Sequence, residues 1–212
     1  DARVRGVVFT GSTEVARLIN QSIAPRAGVR LIAETGGQNA MIVDSSALPE
    51  QVVQDVLVSG FDSAGQRCSA LRVLCLQEDI ADRVLAMLKA AMRELTIGDP
   101  ALLATDIGPV IDEEAQAGLL AHIEKMRAKG RAVFQLPPPA ECAAGCFVPP
   151  TLIEIDALAD LQREVFGPVV HVLRFAGDRL SPLLDAINAS GYGLTLGLHS
   201  RIDETVQQVV DR

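Results

Sequence analysis

The hydrophobic positions of this chain form either short continuous runs or longer stretches in which apolar residues recur every three or four positions. The short runs, such as Val4 to Phe9, are rich in β-branched residues and predict buried parallel strands. The longer stretches, such as Ile80 to Leu95, have an apolar face at helical spacing and predict amphipathic helices. Strands that alternate with helices indicate an α/β protein. The predicted strands lie at residues 4–9, 31–33, 39–43, 71–76, 152–154, 169–175 and 194–198, and the predicted helices at 15–23, 52–61, 80–95, 111–129, 183–189 and 203–212.

Capping and turn residues indicate where these elements end. Ser12 or Thr13 can cap the first helix, and Ser46 is expected to cap the second. The prolines at 137–139 should break the chain, and the segment from there to Pro150 is expected to be an exposed loop or hairpin.

Size and charge narrow the class of protein. The 212 residues can bury a substantial core as one large or two small domains, and 49% of them are hydrophobic. The net charge of −8, without a basic patch, argues against contact with nucleic acid. No apolar run approaches the roughly 20 residues that span a bilayer, so we expect no membrane-spanning segment.

Cysteine usage favours a reducing environment. The four cysteines, Cys68, Cys75, Cys142 and Cys146, do not have the spacing of a zinc site, and only three histidines accompany them. We therefore expect no metal site and a cytoplasmic location.

Two short motifs contain candidate catalytic residues. Cys68 follows Gly65, Gln66 and Arg67 in an irregular stretch, where the glycine permits an unusual backbone conformation. Glu34 precedes a Gly-Gly turn, 34 residues before the cysteine. A thiolate can attack a carbonyl carbon to form a thioester, and a carboxylate can activate the water that hydrolyses it. Each residue also has an ordinary alternative, Cys68 as a small buried hydrophobic residue and Glu34 as a solvated strand end.

Two further segments are of interest, a strand-to-helix junction that can bind phosphate and a Gly-Pro turn before a later strand. Gly11 and Ser12 lie between a predicted strand and the start of a helix, where free backbone N–H groups can bind phosphate. This junction lacks the GxGxxG pattern, so on its own it is not specific. Residues 164–168 read Glu-Val-Phe-Gly-Pro, and a polar turn before the next strand is the ordinary interpretation of that segment.

In this order and at this separation, the motifs resemble those of the NAD(P)-dependent aldehyde dehydrogenase superfamily. The resemblance covers the whole chain. It is strongest at residues 32–39, 65–72 and 193–201, which are similar to the Δ1-pyrroline-5-carboxylate dehydrogenase part of bacterial proline utilization A. It implies an aldehyde dehydrogenase-like, three-layer α/β catalytic domain preceded by the tail of a Rossmann-like cofactor domain.

The resemblance assigns the chemistry to particular residues. It implies that Cys68 is the nucleophile, with its own backbone N–H as one oxyanion donor, and that Glu34 is the general base. It also implies that Ser69 contacts the substrate carboxylate, although a hydroxyl that merely starts a strand is the structural alternative. The implied reaction is the NAD-dependent oxidation of glutamate 5-semialdehyde to glutamate in proline catabolism, through a thiohemiacetal and a thioester.

The resemblance implies NAD as cofactor and names the residues that would hold it. Gly11 and Ser12 would contact the pyrophosphate, and Gly36 would leave room for the cofactor to move. Glu164 would bind the hydroxyls of the nicotinamide ribose, and Phe166 would pack near the nicotinamide. The preference between NAD and NADP stays open.

The chain starts without Met and enters a predicted strand almost at once, so we expect a piece of a longer protein. Residues 1–34 are expected to be the C-terminal part of an NAD-binding domain. Residues 35–212 are expected to be a catalytic domain that is incomplete at its C-terminus. FAD is expected only in a proline dehydrogenase domain outside this chain. The parent protein is expected to be a homo-oligomer, and its peripheral association with the inner membrane stays open.

Two alternatives to this function remain. The chain could be a non-catalytic α/β module, because the family's upstream Asn oxyanion donor and its Gly-rich substrate loop do not match any segment of it. Loss of one such donor typically costs ~10²–10³ in rate. The chain could also belong to a CoA-acylating or acyl-phosphate-forming aldehyde dehydrogenase. Those enzymes need no water-activating carboxylate, so Glu34 argues against them.

Overall fold

The computed structural model describes the backbone of residues 1–212 and every side chain except that of Glu141. The chain divides into two compact units, Asp1–Gly37 and Gln38–Arg212. The boundary expected from the sequence, after residue 34, lies shortly before this division. The assignment of the two units to cofactor binding and to catalysis stays a prediction.

The N-terminal unit consists of strand β1 (Gly6–Thr10), helix α1 (Thr13–Ile23) and strand β2 (Arg30–Glu34). The two strands pair in parallel, and the helix connects them. The prediction that Ser12 can cap the first helix is confirmed, because its hydroxyl accepts a hydrogen bond from the amide of Val15 at 3.2 Å.

The prediction that the first strand is buried is wrong. Val8 of β1 is 79% exposed and Ile32 of β2 is 60% exposed. One helix covers only one face of a two-stranded sheet, so apolar side chains on the other face meet solvent. The β-branched run predicts strand conformation correctly, but burial depends on what packs against the strand.

The C-terminal unit is built on a six-stranded mixed sheet. Its strand order is β5-β6-β7-β4-β3-β8, and only the β5–β6 pair is antiparallel. In chain order its elements are β3 (Ala40–Val43), α2 (Pro49–Phe61), β4 (Val73–Gln77), α3 (Glu78–Met92), α4 (Glu113–Ala128), β5 (Val133–Gln135), β6 (Thr151–Ile155), β7 (Val169–Phe175), α5 (Leu180–Ala189), β8 (Leu196–His199) and α6 (Asp203–Val210).

The centre of this sheet is buried on both faces. All residues of β3 are buried, as are all but one in β4 and all but one in β7. Parallel strands with continuous apolar runs are typically covered on both faces. Helices α2 and α3 pack on each other and both contact β7, so together they cover one of the two faces. This arrangement is the layered α/β organisation that the sequence predicts.

The second helix begins three residues before its predicted range of 52–61, but its predicted cap does not form. Helix α2 begins at Pro49, and no side chain caps it, so the prediction that Ser46 caps this helix is wrong. The amide and hydroxyl of Ser46 instead donate to the carboxylate of Asp44 at 2.8 and 2.5 Å. Proline in the first turn already has a helical φ and lacks the N–H group that a cap would satisfy.

The segment after the three prolines is only partly exposed. A 3₁₀-helix occupies Ala140–Ala144, and Cys142 and Val148 are 5% and 1% exposed. The expectation of an exposed loop or hairpin is therefore wrong for the buried part of this segment. Among the described residues, no helix has the length and apolar character needed to cross a bilayer.

Candidate active site

Cys68 lies on a short loop that leads from helix α2 to strand β4. A 3₁₀-helix at Asp62–Gly65 begins this loop, and residues 66–69 follow it. Cys68 is exposed, whereas Cys75 and Cys142 are buried. Cys68 is therefore not a buried hydrophobic residue, and its sulfur is accessible to a reactant.

Gly65 has a backbone conformation that the loop requires. Its φ of +64° lies in the left-handed region. A Cβ at this position would lie 2.2 Å from the carbonyl oxygen of Gly167 and 2.9 Å from that of Gly60. The loop of Cys68 is thus in close backbone contact with segment 164–168, and only glycine leaves room for this contact.

The side-chain amide of Asn39 holds the C-terminal part of the loop. Its Nδ2 donates to the carbonyl oxygen of Cys68 at 2.7 Å and to that of Ala70 at 2.8 Å. Its Oδ1 accepts a hydrogen bond from the amide of Thr195 at 3.2 Å. Asn39 is buried, and because both ends of its amide are paired, it fixes the backbone of Cys68 rigidly.

The guanidinium of Arg72 holds the N-terminal part of the loop. Nη1 donates to the carbonyl oxygen of Gly65 at 2.7 Å, and Nη2 donates to that of Arg67 at 2.9 Å. Nε and Nη2 also donate to Oε1 of Glu164, at 3.1 and 3.0 Å. The guanidinium carbon lies 5.1 Å from the centre of the Phe166 ring, within reach of a cation–π interaction. Arg72 therefore connects Glu164 and Phe166 to the loop of Cys68.

The charge of Arg72 is buried together with that of its partner. Burial lowers the pKa of the Arg72 guanidinium, and the negative charges of Glu164 and Cys68 act against this shift. The Arg72 side chain is 1% exposed and that of Glu164 is 14% exposed. A buried ion pair needs further hydrogen bonds to offset the cost of desolvation, and the loop carbonyls provide them here.

Among the described residues, three consecutive backbone N–H groups of the loop, those of Arg67, Cys68 and Ser69, have no acceptor. The amides of Gln66 and Ala70, on either side of them, donate within the chain. Donors beside the sulfur lie where negative charge develops when a thiolate adds to a carbonyl group. Ser69 is exposed next to Cys68, and its carbonyl oxygen accepts a 3.5 Å hydrogen bond from the hydroxyl of Thr195.

The other predicted site residues lie in the N-terminal unit, where a hydrogen bond joins two of their segments. The amide of Gly11 donates to the carbonyl oxygen of Glu34 at 3.1 Å, and the Glu34 side chain is exposed. Gly36 has a φ of +98°. A Cβ on Gly11 would lie 2.5 Å from the ring of Phe9. A tight glycine turn followed by the Ser12-capped start of a helix fits a phosphate group, because it combines free N–H groups with the positive end of the helix dipole.

A pair of histidines lies beside Arg72. The Nε2 atoms of His122 and His171 are 2.9 Å apart, and Nδ1 of His171 is 3.2 Å from the carbonyl oxygen of Arg72. Because a carbonyl can only accept, Nδ1 of His171 carries the hydrogen and its Nε2 accepts from His122. Burial lowers the pKa of His171 to about 3, and it also lowers the pKa of His122. His171 is thus a buried histidine with both ring nitrogens paired. The described residues contain no cluster of three or more metal-ligating side chains.

Sequence-based prediction missed two residues that hold the loop. Arg72 is part of the predicted apolar strand 71–76, and a charged residue in a buried strand requires paired partners, which is the signal that could have identified it. Asn39 is the first residue of the predicted strand 39–43, and a polar residue at a strand end is too common to indicate a role.

Comparison with known proteins assigns the fold that carries this site. The sequence profile of the aldehyde dehydrogenase family matches residues 1–212. The chain belongs to the aldehyde dehydrogenase family. The resemblance inferred from the motifs around Cys68 and Glu34 is therefore confirmed for the family.

Two curated relatives of this aldehyde dehydrogenase chain are much longer than the chain itself. The bifunctional protein PutA of Salmonella typhimurium (strain LT2) is 62% identical over 219 residues, which cover 99% of this chain and 17% of the relative. The 1-pyrroline-5-carboxylate dehydrogenase of Geobacillus kaustophilus (strain HTA426) is 36% identical over 207 residues, which cover 94% of this chain and 39% of the relative. The chain thus spans less than a fifth of the first protein and about two fifths of the second.

Solved structures confirm the predicted fold. A crystal structure of bifunctional proline utilization A (PutA) matches with a TM-score of 0.93 and 55% identity, covering 98% of this chain and 21% of the other. The crystal structure of PnpE in complex with nicotinamide adenine dinucleotide matches with a TM-score of 0.92 and 31% identity, covering 100% of this chain and 44% of the other. The aldehyde dehydrogenase-like α/β fold expected from the motifs is therefore correct.

Proposed function

We propose that the protein containing this chain oxidises glutamate 5-semialdehyde, which forms from Δ1-pyrroline-5-carboxylate, to glutamate in proline catabolism, with NAD+ as the hydride acceptor. The observation that carries the proposal is the exposed thiol of Cys68 on a loop whose carbonyls are held by the buried side chains of Asn39 and Arg72. The similarity to PutA and to a 1-pyrroline-5-carboxylate dehydrogenase supports the substrate. The similarity to a structure that contains nicotinamide adenine dinucleotide supports the cofactor.

In the first step, the Cys68 thiolate adds to the aldehyde carbon. A carbon–sulfur bond forms, and the electron pair of the carbonyl bond moves to oxygen, which gives a thiohemiacetal alkoxide. The amides of Cys68 and Ser69, which have no acceptor among the described residues, donate to this oxyanion. Because Asn39 and Arg72 hold the loop carbonyls beforehand, these donors need no rearrangement during the reaction.

In the second half of the reaction, the acyl group leaves Cys68. NAD+, when bound, would supply the hydride acceptor that this oxidation needs, and loss of the hydride would leave the acyl group as a thioester on Cys68. Glu34 then takes a proton from water, whose oxygen attacks the thioester carbon. The carbon–sulfur bond breaks, the thiolate of Cys68 is regenerated, and glutamate is released.

Each unit contains residues that are proposed to contact the cofactor. Gly11 and Ser12 fit the pyrophosphate, because they form a glycine turn and a helix start in the N-terminal unit. Gly36, whose φ is +98°, is proposed to leave room for the cofactor to move. In the C-terminal unit, the carboxylate of Glu164 suits the ribose hydroxyls, and the half-exposed ring of Phe166 suits contact with the nicotinamide.

Ser69 is proposed to contact the carboxylate of the substrate. Its side chain is exposed next to Cys68, where the far end of a short acyl group can reach a hydroxyl. The whole protein is further proposed to be a cytoplasmic homo-oligomer that binds FAD only in a proline dehydrogenase domain outside this chain. The choice between NAD and NADP is a separate question, since the resemblance suits both.

The nucleophile is tested with Cys68→Ala in the full-length gene product. NADH formation from glutamate 5-semialdehyde should fall below detection, because no other group can form the thioester. Cys146→Ala is the matched control and should retain turnover. Turnover in Cys68→Ala close to that of the unsubstituted protein would refute the nucleophile.

The base is tested with Glu34→Gln. Loss of a general base typically costs ~10²–10⁴ in rate, so the thioester should accumulate after hydride transfer. Mass spectrometry should then find a glutamyl adduct on Cys68 that is absent from Glu50→Gln, an exposed control. A Glu34→Gln protein that turns over normally and carries no adduct would rule out this role.

The isolated chain and a CoA-acylating enzyme are each expected to give a different experimental result. The 212 residues alone are proposed to have negligible dehydrogenase activity, and a turnover rate near that of the full-length protein would contradict this. A CoA-acylating enzyme would form an acyl-CoA product instead of glutamate. Product analysis with and without CoA or phosphate separates that chemistry from hydrolysis, and the presence of Glu34 favours hydrolysis.

A further inference from the structure

We propose that Arg72 couples Glu164 to the loop of Cys68, so that a change at Glu164 alters the reactivity of the Cys68 thiol through Arg72. The inference rests on the proposed function only for the roles of Glu164 and Cys68. Arg72 is a positioning residue in this scheme, because it acts through the loop and through Glu164 rather than on the substrate.

The first support is that one rigid group serves both partners. Nη2 of Arg72 donates at the same time to the carbonyl oxygen of Arg67, at 2.9 Å, and to Oε1 of Glu164, at 3.0 Å. Nη1 donates to the carbonyl oxygen of Gly65 at 2.7 Å. A guanidinium is planar, so its donors cannot turn independently. A displacement at Glu164 therefore moves the donors that hold the loop.

The second support is the backbone contact between the two segments. Nη1 of Arg72 lies 3.4 Å from the carbonyl oxygen of Gly167, and that oxygen would be 2.2 Å from a Cβ on Gly65. The two glycines leave no space for one segment to move without the other. The Arg72 guanidinium and this backbone contact therefore both link the loop of Cys68 to segment 164–168.

The third support is burial. Arg72 is 1% exposed, so water cannot replace a partner that the guanidinium loses. A weakened bond to Glu164 must be compensated within the cluster, and the loop carbonyls are the other acceptors present. Asn39, by contrast, holds the carbonyls of Cys68 and Ala70 without contacting Glu164. The side-chain hydrogen bonds that join Glu164 to the loop therefore come from Arg72 and not from Asn39.

The test is a double-mutant cycle on the full-length, cofactor-free protein. The rate constant for alkylation of Cys68 by iodoacetamide is measured by peptide mass spectrometry for the unsubstituted protein, Glu164→Gln, Arg72→Lys and the double variant. Glu164→Gln removes the charge and keeps the shape of the side chain. Arg72→Lys keeps the charge but removes the planar fork. Circular dichroism shows whether each variant is folded.

Coupling predicts a non-additive result. Glu164→Gln should change the alkylation rate at least about threefold when Arg72 is present, as contacting residues commonly do, and should leave it nearly unchanged in the Arg72→Lys protein. Glu154→Gln is the matched control, because its carboxylate pairs with Arg174 at 3.1 Å on strand β6, and it should have no effect. An unchanged rate in Glu164→Gln overturns the proposal. An equal change in both backgrounds also overturns it, since the effect would then bypass Arg72.

Two features keep the test decisive. If Arg72→Lys does not fold, Arg72→Gln replaces it in the double-mutant cycle. The single variants Glu164→Gln and Glu154→Gln also test the proposal without any change at Arg72. If Cys68 is alkylated in both at the rate of the unsubstituted protein, the proposal is refuted. Alkylation needs no turnover. A failure of the proposed dehydrogenase activity, seen as NADH formation by Cys68→Ala, is therefore distinguishable from a failure of the coupling.

Discussion

The side-chain amide of Asn39 donates to the carbonyl oxygen of Cys68 at 2.7 Å, while the N–H of Cys68 has no acceptor among the described residues. The backbone carbonyl of Cys68 is thus held by a hydrogen bond, whereas its N–H group is available to a ligand. A preorganised donor of this kind stabilises negative charge without reorganising at the moment of reaction. Substitutions at the residues that hold this loop, and measurements on the buried cysteines and histidines, test this structure.

Replacing Asn39 tests how much the loop depends on it. Asn39→Leu keeps the approximate shape but leaves the carbonyls of Cys68 and Ala70 without a donor. Each unsatisfied buried acceptor costs about 1–3 kcal/mol, so the free energy of unfolding should fall by about 2–6 kcal/mol and turnover should fall as well. Urea unfolding followed by circular dichroism measures the first effect. Asn20→Leu, on the exposed face of α1, should stay within about 0.5 kcal/mol, and an equal loss there would contradict the assignment.

Replacing Gly65 tests the close contact between the two segments. Gly65→Ala adds a Cβ 2.2 Å from the carbonyl oxygen of Gly167 at a φ of +64°. Left-handed strain and overpacking together should cost about 2–5 kcal/mol, and both turnover and NAD+ affinity should fall. Gly118→Ala, in helix α4 with no atom within 4 Å of the new Cβ, should instead be neutral or stabilise by up to about 1 kcal/mol. In thermal melts, the midpoint temperature of unfolding should therefore fall in Gly65→Ala and should stay the same or rise in Gly118→Ala.

The four cysteines should differ in their rates of alkylation. Burial raises the pKa of the Cys75 thiol to about 12, so near pH 8 only about one molecule in 10⁴ carries the thiolate. Cys142 is also buried, whereas Cys68 is exposed and Cys146 is half-buried. Peptide mapping after brief treatment with iodoacetamide should find label on Cys68 and little on Cys75 or Cys142, and denaturant should abolish the difference. Rapid labelling of Cys75 in the folded protein would contradict its burial.

The histidine pair should make the folded protein sensitive to acid. The pKa of His171 is about 3 in the folded state, below its ordinary value of about 6.5. The unfolded chain therefore binds the extra proton between these values, and stability that is complete above pH 6.5 declines as the pH falls toward 3. At about pH 5 the loss is about 2 kcal/mol from this residue.

His171→Gln removes this titration while it retains a side chain that can bond to His122. Its stability should fall less than that of the unsubstituted protein between about pH 7.5 and pH 5. Urea unfolding at several pH values measures both curves. Parallel curves would show that His171 does not cause the acid sensitivity.

The degree to which the sequence predicts this fold varies with the length of each element. Strand β7 occupies Val169–Phe175, the range that its continuous apolar run predicts, because a Gly-Pro pair marks its start. Strand β5 at Val133–Gln135 has no such signal, since three residues show no period and the strand forms only by pairing with β6. The burial of Cys142 and Val148 likewise results from packing against distant residues that local patterns do not reveal.

The candidate site also has residues that the sequence predicts and residues that only the folded structure reveals. Local motifs identify Cys68 as a candidate, because Gly65 lies only three residues before it in the sequence. The partners of Arg72 cannot be read locally, since its guanidinium meets the carboxylate of Glu164, 92 residues away. Contacts between segments that are far apart in the chain require the folded structure, and those contacts fix the loop.

Backbone recognition of the loop has a consequence for altering the enzyme. Asn39 and Arg72 bind carbonyl oxygens, which every amino acid possesses, so this hold does not depend on which side chains the loop presents. Arg67 and Ser69 are exposed on either side of Cys68. Mutagenesis libraries at these two positions can therefore vary the surroundings of Cys68 while the backbone hydrogen bonds of the loop are preserved.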